Sequence, residues 1–166
     1  YSSLMHNFKI ETYLNIICLI SLISIISAYF IEYVLGHQPC NLCLIERIPY
    51  GLAMILIILN YAYRKYQYYI VSLLILIFIF SFIISFYHLG IEKGFFEESA
   101  VCGLKNTSEI ISKEELLKQL QEKTISCKDV TFRVFGFSLT TINILLSLLI
   151  TTILSKIFIN YEKFRK

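Results

Sequence analysis

Five cysteines stand at positions 18, 40, 43, 102 and 127. Cys40 and Cys43 belong to Gln38-Pro39-Cys40-Asn41-Leu42-Cys43-Leu44-Ile45-Glu46-Arg47, a Cys-x-x-Cys spacing that suits thiol–disulfide exchange or a soft metal. The pair lies where a short loop runs into an apolar helical stretch. Unpaired amides and the dipole at a helix start stabilise a thiolate, so Cys43 is expected to be the more acidic thiol. Arg47 follows one turn later on the same face. A fixed cation there suits that thiolate or the reduced oxygen of a bound electron acceptor. A zinc site of four cysteines usually takes two close pairs, whereas Cys102 and Cys127 are far apart and the first pair borders lipid. No metal is expected, and static disulfides are the plain alternative to exchange.

The elements that must position these residues are membrane helices. Hydrophobic residues make up 57% of the 166 and charged ones 16%, and the mean hydropathy is +0.68. This is the composition of an integral membrane protein of one domain. Four apolar stretches, about 13–35, 44–63, 66–89 and 134–155, can each cross roughly 30 Å of hydrocarbon as a helix. The first is longer than a signal-peptide core and lacks a convincing small-residue cleavage site, so it is expected to be retained. The second carries Glu46 and Arg47 in its first turn, where both can sit at the surface. Tyrosines such as Tyr13, Tyr33, Tyr61, Tyr63 and Tyr66 mark the ends of the spans, where their rings favour the headgroup layer.

Four spans place both termini on one side and the loops 36–43 and 90–133 on the other. Lys9, Arg64, Lys65, Lys156, Lys163, Arg165 and Lys166 face only Glu11 and Glu162 on the terminal side, which the positive-inside rule makes cytoplasmic. Basic residues therefore act as topology signals, and the formal charge of +3 gives no stripe for nucleic acid. The loop 90–133 has seven basic and eight acidic residues, so its sign decides nothing. Cys40, Cys43, Cys102 and Cys127 all fall in the outer compartment, and a bacterial periplasm lets disulfides persist there. Within the long loop, Ser112-Lys113-Glu114-Glu115 has the form of a capping box, and Leu116, Leu117 and Leu120 give the following helix one apolar face. A short interfacial helix is expected there. Glu46 reads as a solvated cap, Glu32 as a surface-seeking acid near the end of helix one, and Cys18 as a packing residue with an inert thiol.

Gln-Pro-Cys-x-x-Cys-x-x-x-Arg at 38–47, Tyr87-His88 at the end of helix three, and Cys102 and Cys127 before Phe135-Gly136-Phe137-Ser138 resemble the disulfide-bond formation protein B family, DsbB. The likeness runs over nearly the whole chain. It implies a four-helix inner-membrane oxidase that takes electrons from a DsbA-like periplasmic thioredoxin-fold protein and passes them to ubiquinone or menaquinone. That relay is the one general accounts of periplasmic redox name. By resemblance, Cys43 faces the quinone, Cys40 is its exchange partner, Cys102 meets the donor and Cys127 resolves, while Arg47 and His88 lie at the quinone. Read on its own, His88 is a hydrogen-bonded residue near a helix end.

Two other readings compete. A vitamin K epoxide reductase-like oxidase also joins four core helices, two cysteine pairs and a quinone, but there the membrane-proximal Cys-x-x-Cys follows the loop pair instead of preceding it. A four-span scaffold with static outer disulfides needs no acceptor at all.

Overall fold

The computed structural model describes residues 2–98, 126–128 and 132–165, with side chains among these from 10 to 160. In chain order come α1 (Ser2–Tyr33), α2 (Asn41–Ile45), α3 (Ile48–Ala62), a 3-10 turn (Arg64–Tyr66), α4 (Gln67–Glu92), a hairpin of β1 (Arg133–Val134) and β2 (Phe137–Ser138), and α5 (Leu139–Arg165). Four stretches, Ile10–Tyr33, Asn41–Ala62, Arg64–Glu92 and Leu139–Asn160, are long and apolar enough to cross a membrane. The protein is an all-α, four-helix membrane bundle. The interfacial helix expected near Ser112 lies outside the described residues.

Two boundaries differ from the expected ones for local reasons. The fourth helix starts at Leu139, not Val134, because Phe135 and Gly136 hold φ of 50° and 84° and turn the chain back on itself. Arg133 then pairs with Ser138, and Val134 with Phe137. Two consecutive positive φ values suit a tight hairpin turn and are foreign to a helix. Ser138 caps the helix that follows, its Oγ accepting the Thr141 amide at 3.3 Å.

The second span is two helices, not one. α2 stops at Ile45, and Pro49, which has no amide to give, sits in the first turn of α3. Glu46 and Arg47 occupy the break and point different ways.

Lipid tails are as apolar as leucine, so packing and interhelical hydrogen bonds must hold such a bundle together. α4 packs most extensively against α5, and α1 rests mainly on α3. Leu14, Ile57, Leu74, Phe78, Ile150 and Leu154 fill the centre. Tyr50 meets Phe78 edge-on at 5.7 Å, and Ser81 bonds Ser147 across α4 and α5 at 3.1 Å. Ion pairs fasten α1 near both ends, Glu11 to Arg64 at 3.0 Å and Glu32 to Arg47 at 2.5 Å.

Phe78 is fully buried, while Phe80 is 55% exposed toward lipid. Truncating a buried Phe in a water-soluble core costs about 3–5 kcal/mol; here the transfer part largely cancels and lost dispersion remains, on the order of 2 kcal/mol. Phe78→Ala is therefore expected to lower the unfolding midpoint in detergent clearly, and Phe80→Ala to move it little. Equal shifts in the two variants would contradict this packing.

Candidate functional site

Gly36, at φ 73°, reverses the chain after α1 and starts the short loop to the cysteine pair. Cys40 is the N-cap of α2, extended at φ −74° and ψ 168°, and its sulfur accepts the Cys43 amide at 3.4 Å. The helix-start amide thus serves Cys40, not Cys43 as expected. One turn of helix brings the two sulfurs to 2.8 Å, both as free thiols. A shift of under roughly 1 Å closes a disulfide of about 2.05 Å.

His88, near the end of α4, joins this pair to the rest of the site. Its Nε2 lies 3.6 Å from Cys40 Sγ, while its Nδ1 lies 3.0 Å from Glu46 Oε1 and 3.3 Å from Thr140 Oγ1 on α5. Cys40, Glu46 and His88 are all buried. A carboxylate, an imidazole and a sulfur in line form an arrangement that fixes the ring and can hold or move a proton at the sulfur. The Cys40 thiol is held at about 4, far below the ordinary thiol range. Its contact with Cys43 contributes most; burial opposes the shift, and the hydrogen bond and charge of His88 add to it.

Cys127 is buried as well and is disulfide-bonded. Its sulfur lies within 4.8 Å of both Cys40 Sγ and a His88 ring nitrogen. These three groups have the donor types of a soft-metal site, but a disulfide sulfur is no thiolate ligand, so in this state they stand as exchange neighbours. Cys102 lies outside the described residues. Cys18 is in α1 among the core helices, away from the pair, and is a free thiol.

Beside the sulfurs is a cavity of about 410 Å³, largely apolar, whose lining includes Cys40, Cys43, Arg47, Tyr50, His88 and Asn143. Arg47 is gripped from the α1 side, by Glu32 at 2.5 Å and by the Tyr29 ring 4.9 Å from its guanidinium carbon. Deeper in, Tyr50 OH donates to Asn143 Oδ1, and Asn143 Nδ2 donates to Ser85 Oγ at 2.6 Å. The cavity is of a size and polarity that suit a small apolar ring with a few hydrogen-bonding groups.

Cys40, Cys43, Arg47, His88 and Cys127, singled out from the sequence, thus come together at one end of the bundle. The structure corrects two further readings. Glu46 is not a solvated cap but a buried partner of His88, and Glu32 is not merely surface-seeking, since it neutralises Arg47. Tyr50 and Asn143 were not singled out. Only the depth of polar residues in apolar helices could have pointed to them.

Two free thiols in contact beside an apolar cavity, in a bundle with four membrane-crossing stretches, define a multi-pass membrane protein with a paired-cysteine site. The family model described as "Disulfide bond formation protein DsbB" matches residues 11–157, and the chain belongs to that family. It is accordingly a membrane oxidoreductase of disulfide-bond formation. It is 29% identical over 156 residues to an uncharacterized protein of Rickettsia prowazekii (strain Madrid E), covering 92% of this chain and 90% of that one. No solved structure matches it.

A thiol held so far below its ordinary range is largely thiolate at neutral pH. In the reduced protein, alkylation of Cys40 is expected to stay flat with falling pH until about pH 5 and to fall only below it. His88→Asn should move that fall up toward the ordinary thiol range, read by mass spectrometry of the labelled peptide. An unchanged profile in the variant would remove His88 as a source of the acidity.

Proposed function

We propose that this protein reoxidises a DsbA-like periplasmic dithiol protein and delivers the electrons, through two cysteine pairs, to a membrane quinone. The observation that carries this reading is the proximity of three sulfurs: Cys127 within 4.8 Å of Cys40, and Cys40 2.8 Å from Cys43 in the wall of the apolar cavity. Thiol–disulfide exchange needs only access and an ordered set of sulfurs.

The donor thiolate attacks Cys102 in a Cys102–Cys127 disulfide, and Cys127 leaves as thiolate. The second donor thiol closes the donor disulfide and releases Cys102. Cys127 then attacks Cys40 of an oxidised Cys40–Cys43 pair, so that Cys43 leaves as thiolate at the cavity. His88 stands within reach to hold the proton that each protonation change at Cys40 requires, with Glu46 fixing its ring. Cys102 attacks Cys127 in the Cys40–Cys127 mixed disulfide, which re-forms the loop disulfide and frees Cys40 without net oxidation, and closing the Cys40–Cys43 disulfide then gives up two electrons and two protons per donor. Overall, donor dithiol and quinone become donor disulfide and quinol.

A quinone supplies an acceptor of two electrons and two protons. The cavity fits its chemistry, with apolar walls and Arg47 and His88 among the polar groups toward the cysteine end. Arg47 would hold the ring oxygen by charge, and its tie to Glu32 keeps the guanidinium oriented when the site is empty. The cysteine end faces the periplasm and both termini the cytoplasm, a reading supported by the basic flanks.

Arg47→Gln is expected to raise the apparent quinone Michaelis constant about tenfold or more while sparing thiol exchange with the donor, because one charged hydrogen bond is worth roughly 1.5–3 kcal/mol. Steady-state kinetics with varied quinone, alongside single-turnover exchange, separate the two. Unchanged quinone kinetics would make Arg47 a fastening residue only.

The order of the relay is tested with a donor whose resolving cysteine is replaced by alanine, added to right-side-out membrane vesicles bearing the oxidised enzyme. The expected trapped disulfide, mapped by mass spectrometry, joins the donor to Cys102. Linkage mainly to Cys127 or Cys40 would refute the order, and trapping in inverted vesicles alone would refute the orientation. No trapped species at all would leave a scaffold with static disulfides as the better description.

A further inference from the structure

The hairpin before α5 carries an aromatic residue in a position that backbone chemistry disfavours. Phe135 and Gly136 form its turn with φ of 50° and 84°. A turn with two positive φ values normally takes Asn-Gly or Asp-Gly, because a bulky side chain at positive φ crowds its own backbone. The Phe135 ring is 98% exposed, so no packing within the described protein compensates for that crowding, and Phe137 beside it is 59% exposed.

We propose that this hairpin tip is a lipid anchor, with Phe135 and Phe137 entering the headgroup layer of the membrane and Arg133 meeting lipid phosphate. The position of the tip supports a bilayer over any soluble partner. Leu139 begins a membrane-crossing stretch, and four residues of extended chain keep Phe135 within roughly 14 Å of it. Exposed apolar side chains stand at the same end of the bundle where other spans finish, Tyr33 and Val34 at the end of α1 and Phe95 after α4. The tip therefore continues the girdle of aromatic residues that membrane proteins place at the interface. Arg133, exposed at the base of β1, supplies the cation that such anchors pair with phosphate.

Anchoring the tip also steadies the site. Phe132, Val134 and Ser138 of the same segment line the cavity, and the Phe132 ring rests 5.2 Å from His37 in the loop that leads to Cys40. A hairpin held by lipid at its tip and by α5 at its base keeps that wall in register with the cysteine pair. The lipid contact itself stands whether or not the acceptor is a quinone.

The chain contains no tryptophan, so a single Phe135→Trp variant of the full protein is a clean reporter. Reconstituted in phosphatidylcholine vesicles, its emission is expected to be blue-shifted and to lose most of its intensity when the acyl chains are brominated close to the headgroup. A separate Phe137→Trp variant should behave alike, which guards against a fault of one site. In the Phe137→Trp background, Phe135→Asn keeps or improves the turn yet should shift the emission to the red and relieve the bromine quenching. Emission at the wavelength of a water-exposed indole, unquenched by brominated lipid in both reporters, would overturn the proposal. A blue shift arising only after a dithiol donor protein is added would also overturn it, since the tip would then be a protein-docking surface. If Phe135→Asn leaves the quenching of Trp at 137 unchanged, Phe135 is not the anchoring residue.

Discussion

The structure depends on one buried polar contact, the imidazole of His88 held between Glu46 and Cys40. It joins the break between α2 and α3 to α4, and through Thr140 to α5, so three parts of the bundle meet at a single ring. In a low-dielectric interior such a chain is stable only if each member is satisfied, since a lone buried charge is far more costly than a paired one. The constraint runs outward from there. The helix must break at Glu46 for its carboxylate to turn inward, Pro49 and the short α2 produce that break, and the break in turn frees Arg47 to face α1. Two adjacent residues of opposite charge thereby serve two different neighbours.

The polar contacts below this ring extend the same logic into the membrane. Tyr50, Asn143 and Ser85 form a bonded series across α3, α5 and α4, and Ser81 with Ser147 continues it between α4 and α5. Such bonds are individually modest in lipid, but they fix rotation of helices whose apolar surfaces are otherwise interchangeable. Tyr50 and Asn143 of this series also line the cavity and add polar groups to its wall.

Much of this was legible in the sequence, and the reasons for the remainder are physical. Length and hydropathy identify four spans because water-free hydrocarbon forces the backbone into helices. The Cys-x-x-Cys motif and Arg47 are legible because their spacing acts within one turn. Glu46 and Glu32 were misread because their partners, His88 and Arg47, come from other elements, and an acid at a helix end has the same local signature whether it meets solvent or a cation. The late start of α5 was hidden for a different reason. Val134 to Phe137 is apolar and runs into an apolar helix, so Gly136 is the sole local sign of a turn. Which face of each helix looks inward was also illegible, since lipid and core both select Leu and Ile.

The thin seam between α1 and α5 has a consequence for supply. Both helices line the cavity, yet they touch each other sparsely, α1 being secured to the α3 side by its two ion pairs. For a lipid-soluble acceptor of the kind proposed, that seam would be the direct way to the sulfurs from within the bilayer. Under that proposal, supply would follow diffusion in two dimensions and mole fraction in the lipid, not aqueous concentration, and the relay's pace would be tied to the membrane around it.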